Sequence, residues 1–220
     1  MTAYTKRLQK VTAVLCTTAL LAGCAAGTSD NTEPAATTAP VKAITIEPNA
    51  AYQTMNGFGA SACWWSQEVG NWENAKDILA LLYDENSGIG LNIYRYNLGA
   101  GSKDDATITD PDRRAEAFID KDGSYHWERD AAAQNALALA KSMNKDLRVT
   151  LFSNSAPVFY TANGKAYCDY LPDDEKYVTN LEPERYADFA KYGIACAKHF
   201  TEAGYRVTGL SPINEPEWSW

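Results

Sequence analysis

Four short apolar segments alternate with segments of helical periodicity along most of the chain, and this alternation limits the possible folds more than any other feature. In chain order the predicted elements are strand 57–65, helix 74–83, strand 91–97, helix 131–143, strand 147–152, helix 183–203 and strand 205–210. Such a pattern predicts right-handed βα units whose strands form a parallel sheet. A (β/α)8 TIM barrel needs eight strands and about 250 residues, so we expect only about the first four βα units of one.

Local signals set the ends and the buried faces of the predicted helices. Asp130 is expected to cap the helix over 131–143, and Pro183 suits the first turn of the helix over 183–203. Helical spacing predicts a buried side for each of two helices. In 74–83 it consists of Ile78, Leu81 and Leu82, and in 183–203 of Tyr186, Phe189, Ala190, Gly193, Ala197 and Phe200.

Polar and aromatic residues follow the last predicted strand directly. Asn214 and Glu215 come first, Pro216 then blocks further ladder pairing, and Trp218 and Trp220 end the chain. In parallel α/β folds, catalytic residues gather at the C-terminal ends of strands. Glu can donate or accept a proton, Asn can hold a hydroxyl, and Trp can stack on a sugar face. The pattern favours a site for a polar ring substrate over the alternative, a surface loop with partly buried tryptophans.

Two earlier strands also end in chemically informative residues. Arg95 lies near the end of strand 91–97, where an arginine is costly to bury unless a carboxylate pairs with it; the alternative is a structural ion pair. Asn154 follows strand 147–152. The connections over 98–129 and 157–182 are long, and loops of this length are usually functional or disordered. Some of the tyrosines in the second loop are expected to wall a groove.

Charge and composition exclude several classes of partner. The net charge is −8, which argues against nucleic acid or an anionic membrane surface as a partner. Neither His126 nor His199 has a second histidine nearby, and no cysteine pair has metal-ligand spacing, so we expect no metal. We also expect no cofactor, because Gly99 and Gly101 are not followed by the Gly-Lys-Ser/Thr of a phosphate loop. Six Trp and thirteen Tyr are typical of proteins that handle carbohydrate.

The amino-terminal segment has the composition of an export signal. Residues 1–24 place Lys and Arg before an apolar stretch that is too short for an ordinary membrane span. The segment ends in Leu-Ala-Gly followed by Cys24, which resembles a bacterial lipobox and implies lipidation of Cys24. The small and polar residues 25–42 predict a flexible tether. The expected location is the outer side of the bacterial cytoplasmic membrane, held by a lipid anchor; the alternative is ordinary cleavage and secretion.

Four motifs in register resemble glycoside hydrolase family 30, a group of retaining (β/α)8 glycosidases. They are Gly57–Trp65, Tyr94–Gly99, Ser153–Gly164 and Ser211–Pro216, and their order and spacing extend over nearly all of residues 43–220. The two adjacent tryptophans of the first motif, the Asp-rich loop at 103–112 and the Trp-rich ending are most similar to the endo-β-1,6-galactanase branch. The resemblance implies that 43–220 is the amino-terminal half of a glycosidase barrel, with residues 43–46 as the first strand of a β-sandwich side domain.

The resemblance also implies roles for individual residues. Glu215 would be the general acid/base, Asn214 would hold the sugar 2-hydroxyl, and Arg95 would hold the carboxylate of the nucleophile. The sugar subsites would be lined by Asn154, Trp64, Trp65, Trp218 and Trp220.

A β-linked polysaccharide or oligosaccharide is therefore the expected partner. The family's nucleophile is a Glu at the end of strand 7, which this sequence does not reach, so we expect the 220-residue chain to be inactive alone. Two alternatives remain open. One is a non-catalytic carbohydrate-binding lipoprotein. The other is a family 30 enzyme that acts on β-1,6-glucan, xylan or a glucosyl conjugate.

Overall fold

A computed structural model describes residues 44–168 and 180–215 of the chain. Its strands are β1 (Gly59–Ser61), β2 (Ile93–Asn97), β3 (Arg148–Phe152) and β4 (Arg206–Ser211), and its α-helices are α1 (Trp65–Val69), α2 (Ala75–Tyr83), α3 (Ala131–Met143) and α4 (Tyr186–Glu202). Short 3-10 helices span Pro111–Arg113, Val158–Tyr160 and Pro183–Arg185. No helix within these described residues is long and apolar enough to cross a membrane.

The strands form one parallel sheet in the order β1-β2-β3-β4. This confirms the predicted α/β class with parallel pairing, whereas the continuation into an eight-stranded barrel stays a prediction. Ser61 pairs with Arg95, Asn97 with Phe152, and Phe152 with Ser211. The C-terminal ends of all four strands therefore lie along one edge of the sheet.

The first strand is shorter than predicted, because only three residues of 57–65 pair with β2. A Cβ added to Gly59 would lie 2.5 Å from the carbonyl oxygen of Ile93, so glycine permits the close approach of β1 to β2. From Trp65 the chain forms α1, a five-residue helix that the small and aromatic residues of this segment did not indicate.

The chain divides into two units, residues 1–52 and 53–220. In the first unit, the described residues 44–52 contain no strand, so the predicted strand over 43–46 is wrong for residues 44–46; Ala43 lies outside the described part. A strand requires a hydrogen-bonded neighbour, and within the described part of the chain β1 to β4 pair with one another and not with residues 44–46. The segment instead forms a turn, in which the Ala50 amide donates to the Glu47 carbonyl at 3.0 Å.

The core lies between the sheet and the helices, and large aromatic side chains dominate it. Tyr96 of β2 is fully buried, with its ring centroid 4.9 Å from that of Phe200 and 6.5 Å from that of Tyr94. The buried faces of two helices differ from the prediction. Leu81 of α2 is 65% exposed, while Leu79 and Tyr83 are buried. In α4, Tyr186 and Ala190 are exposed, while Tyr192 and Cys196 are buried beside Phe189, Gly193 and Phe200. Each helix has two adjacent apolar stripes, and the way the helix packs against the sheet determines which of them is buried.

Asp130 precedes α3 but its side chain does not cap the helix, so that prediction is wrong. Asp130 is only 5% exposed, has left-handed backbone geometry (φ 54°), and accepts a hydrogen bond of 2.7 Å from the Tyr96 hydroxyl through Oδ2. Its amide donates to Glu116 Oε2 at 2.8 Å. Because a buried hydroxyl without a hydrogen-bond partner is costly, the Asp130 carboxylate pairs with Tyr96 rather than capping the helix. Burial raises the pKa of the Asp130 carboxyl to about 7.

This buried carboxyl predicts a pH-dependent stability that the Asp130→Asn variant should lack. The native state keeps the proton to higher pH than the unfolded state does, so wild-type stability falls between pH values of about 4 and 7. The Asp130 carboxyl should lower the free energy of unfolding by up to about 4 kcal/mol over this range. Asn can accept from Tyr96 and tolerates left-handed geometry. Thermal unfolding at pH 5 and pH 8 checks this, with the exposed Asp146→Asn as control. An equal pH dependence in wild type and Asp130→Asn would contradict it.

Candidate active site

Arg95 links three strand ends at the C-terminal edge of the sheet. Its Nη2 donates to Asn214 Oδ1 at 2.7 Å, and its Nη1 to Ser61 Oγ at 3.4 Å. Its guanidinium carbon lies 3.3 Å from the centre of the Phe152 ring. The planar guanidinium supplies both the donor fork and the stacking face that this position uses, which an ammonium group would not. Arg95 thus joins residues from β1, β3 and the segment after β4.

The surroundings of Arg95 shift the pKa of its guanidinium in opposite directions. Burial lowers the pKa of the guanidinium below its ordinary value, and electrostatic interaction with Cys63 and Glu215 offsets part of this lowering. Among the described residues, its hydrogen-bond partners are the neutral side chains of Asn214 and Ser61, so the structural ion pair considered above is not what holds it here. The side chain therefore brings a positive charge to the strand ends, close enough to Glu215 for the two charges to attract.

Asn214 and Glu215 follow β4 at the same edge. The Asn214 amide donates to the Ser153 carbonyl at 3.0 Å, which keeps the chain beside the end of β3. Glu215 is exposed and has left-handed backbone geometry, with φ of 43°. The following residue, Pro216, disfavours the right-handed α region for Glu215. A left-handed conformation of a non-glycine residue costs on the order of 1–3 kcal/mol, and such conformations cluster at functional sites.

A cavity of about 550 Å³ opens beside these strand ends. Strand-end residues Trp64, Asn97 and Asn154 line one part of it. Asn97 is buried, and its Oδ1 accepts from the Asn154 amide at 3.2 Å, so the ends of β2 and β3 are held together. The structure therefore brings two of the predicted substrate-binding residues, Trp64 and Asn154, to one cavity.

The remaining part of this cavity is formed by loop residues. Tyr167 belongs to the loop whose tyrosines are expected to wall a groove, whereas Thr107, Asp110 and Arg113 are not among the predicted site residues. Thr107, Asp110 and Arg113 belong to the loop 98–129, and Tyr167 belongs to the loop after β3. The Tyr167 hydroxyl donates to Thr107 Oγ1 at 2.8 Å, across 60 residues of sequence. Loop length signalled that these segments matter, but no local pattern identified which side chains meet.

Trp65 has a different position from Trp64. It is the first residue of α1, its indole N–H donates to the Ser61 carbonyl at 2.9 Å, and its ring packs against the core with its centroid 6.3 Å from that of Tyr94. It is not among the residues that line the 550 Å³ cavity, and its role at a subsite stays a prediction.

Several predicted positions cannot be compared with the structure. Trp218, Trp220 and Cys24 lie outside the described residues, and their predicted roles remain predictions. Within residues 44–168 and 180–215, no group of three or more His, Cys, Asp or Glu side chains is placed to hold a metal ion.

Sequence comparison identifies the family. A profile of O-glycosyl hydrolase family 30 matches residues 41–220. The chain belongs to this family. The resemblance carried by the four motifs is thereby confirmed.

Three individual proteins are similar to the chain at moderate identity. Endo-β-1,6-galactanase from Hypocrea rufa is 28% identical over an alignment of 203 positions, and the match covers 80% of this chain and 40% of that protein. Exo-β-1,6-galactobiohydrolase from Bifidobacterium longum subsp. longum is 27% identical over an alignment of 240 positions, and the match covers 81% of this chain and 15% of that protein. A conserved exported protein from Bacteroides fragilis, of known crystal structure, is 29% identical with a TM-score of 0.71; the match covers 80% of this chain and 37% of that one. The chain thus spans less than half the length of each.

Proposed function

We propose that the full-length protein, meaning the natural polypeptide that carries these residues, is a retaining glycoside hydrolase that cleaves β-1,6-linked galactan. The observation that carries the proposal is the contact of Arg95 with Asn214, directly before Glu215 at the C-terminal edge of a parallel sheet. The names of two relatives, an endo-β-1,6-galactanase and an exo-β-1,6-galactobiohydrolase, support this linkage over β-1,6-glucan or xylan.

Glu215 is the general acid/base in this proposal. It protonates the glycosidic oxygen as the bond to the anomeric carbon breaks, and then takes a proton from the water that releases the sugar from the nucleophile. Its exposed side chain at the strand end is accessible to a polymer. Retention also needs a second carboxylate about 5–5.5 Å away, which attacks the anomeric carbon.

The nucleophile is expected on a later strand, since the family resemblance places it at the end of strand 7. The 220-residue chain alone should therefore release no sugar from galactan. Detectable hydrolysis by the isolated chain would contradict this part of the proposal.

Asn214 positions the sugar in this proposal, and Arg95 positions Asn214. Because Asn214 Oδ1 accepts from Arg95, the amide is oriented with its nitrogen as the group left to donate to a sugar hydroxyl. This is consistent with a role at the 2-hydroxyl, where hydrogen bonds strengthen in the transition state. Trp64 supplies an aromatic face and Asn154 a polar group in the adjoining cavity.

The proposed location is the outer side of the bacterial cytoplasmic membrane, with Cys24 as the lipidated residue. A polymer substrate is encountered outside the cell, so this location is consistent with the proposed activity. Incorporation of labelled palmitate by the full-length protein, and its loss in Cys24→Ser, tests the anchor; equal labelling of both would contradict it.

Hydrolysis of a panel of polysaccharides by the full-length protein tests the activity. The expected result is release of galacto-oligosaccharides or galactobiose from β-1,6-galactan, at a higher rate than any sugar is released from β-1,6-glucan or xylan. Faster cleavage of either of the other polymers would contradict the proposed substrate but still support a glycosidase. Binding of galactan with no cleavage of any polymer would favour the non-catalytic carbohydrate-binding protein instead.

A further inference from the structure

The cavity beside the candidate active site has a wall made by loops rather than by strand ends. This loop wall consists of Thr107, Asp110, Arg113 and Tyr167. The cavity is separate from the acid/base, because Arg95, Asn214 and Glu215 are not among its lining residues. It is nevertheless adjacent, because Asn154 lines it and the preceding residue, Ser153, accepts the hydrogen bond from the Asn214 amide.

Hydrogen bonds hold the loop wall in place. The Arg114 guanidinium donates to the Ile108 carbonyl through Nε at 3.0 Å and Nη2 at 2.7 Å. The Thr107 hydroxyl donates to Asp105 Oδ1 at 2.5 Å and accepts from the Tyr167 hydroxyl at 2.8 Å. These contacts tie the loop after β2 to itself and to the loop after β3. A wall ordered in this way loses little entropy when a ligand binds.

The chemistry of the cavity favours a neutral, hydroxyl-rich ring. Arg113 and Asp110 are the charged residues among those described that line it, and they neutralise each other through an ion pair of 3.4 Å. The Arg113 guanidinium lies 5.1 Å from the centre of the Trp64 ring. The hydroxyl and amide side chains that line it are those of Asn97, Ser102, Thr107, Thr109, Asn154, Ser155 and Tyr167. The volume of about 550 Å³ is within the range of small-molecule sites.

We propose that the loop wall binds a neutral glycosyl unit of the polysaccharide that is remote from the bond being cleaved. This inference rests on the proposed glycosidase function and adds a subsite to it. Binding of remote sugars contributes to transition-state stabilisation only when the substrate is long enough to reach them. The enzyme should therefore prefer oligosaccharides to glycosides of a single sugar, and Arg113 and Tyr167 should determine that preference.

Kinetics with substrates of two lengths test the subsite in the full-length protein. The substrates are a neutral β-1,6-linked galactotetraose and an aryl β-galactoside with one sugar. Arg113→Ala should lower kcat/KM for the tetraose about tenfold and change kcat/KM for the aryl galactoside less than about twofold. Tyr167→Phe, which removes only a hydroxyl, should shift the same ratio in the same direction.

Arg185→Ala is the matched control. Arg185 is also a half-exposed arginine with a carboxylate partner, Asp188 at 3.3 Å, and an aromatic neighbour, Tyr160 at 5.8 Å, but it does not line the cavity. Equal effects of Arg113→Ala and Arg185→Ala, or equal losses on both substrates, would overturn the inference. A preference for a uronic-acid-capped oligosaccharide that depends on Arg113 would overturn the inference that the ligand is neutral. If the wild type cleaves neither substrate, the proposed function itself fails.

Discussion

Glu215→Gln in the full-length protein should lower kcat on β-1,6-galactan by about 10²–10⁴-fold. The amide cannot protonate the leaving oxygen or deprotonate water, while its size and its place after β4 are unchanged. Binding should persist, so the affinity of the variant for galactan, measured calorimetrically, should stay close to that of wild type. Glu184→Gln is the matched control, since Glu184 is an exposed glutamate in the 3-10 helix before α4 and does not line the cavity beside the strand ends.

The leaving group gives a second readout of the same substitution. An aryl galactoside with an acidic phenol needs no general acid, so its first step should be much less affected in Glu215→Gln than cleavage of galactan. Hydrolysis of the galactosyl intermediate should then become slow, because the general base is missing. Equal loss on galactan and on the activated aryl substrate, or a loss of less than about tenfold on galactan, would contradict the acid/base role.

Arg95→Lys should lower kcat/KM on galactan by about a hundredfold. Lysine keeps the positive charge but not the planar fork that donates to Asn214 at 2.7 Å and to Ser61 at 3.4 Å, nor the face that stacks on Phe152. The Asn214 amide would lose the partner that fixes its orientation. Arg185→Lys, which changes an arginine outside the site, should leave kcat/KM within about twofold of wild type.

The thermal midpoint of Arg95→Lys separates a local effect from a global one. Because Arg95 is only part-buried and the charge is conserved, the midpoint should fall by a few degrees at most. Activity within about threefold of wild type would contradict the positioning role. Loss of the folded state would mean that Arg95 acts on the fold rather than on Asn214.

The sheet and its helices could be predicted from the sequence because strand and helix periodicities differ. β2, β3, β4, α2, α3 and α4 all lie where the sequence pattern placed them, with no end displaced by more than three residues. Features that depend on tertiary partners could not be predicted in the same way. Residues 44–46 have the alternation of a strand without a pairing neighbour, and Leu81 lies on a stripe adjacent to the one that docks.

The candidate site likewise has some features that the sequence reveals and others that depend on tertiary contacts. Glu215 and Asn214 are visible in the sequence because they directly follow a strand, and Arg95 because a charge near a strand end is unusual. The hydrogen bond between Arg95 and Asn214 spans 119 residues and depends on the order of strands in the sheet. Asp130 has the sequence position of a helix cap, but its carboxylate accepts a hydrogen bond from Tyr96, 34 residues earlier in the chain. The loop wall depends on contacts between two irregular segments, for which sequence periodicity gives no signal.

A crystal structure of full-length Glu215→Gln with a β-1,6-galacto-oligosaccharide tests the central claim most directly. We expect a glycosidic oxygen within about 2.6–3.2 Å of the side-chain amide at position 215. We also expect Asn214 on a sugar hydroxyl next to the scissile bond and a further sugar against Trp64. An oligosaccharide bound away from the C-terminal ends of β2, β3 and β4, or one whose glycosidic oxygens all lie beyond reach of position 215, would contradict the assignment of Glu215 as the acid/base.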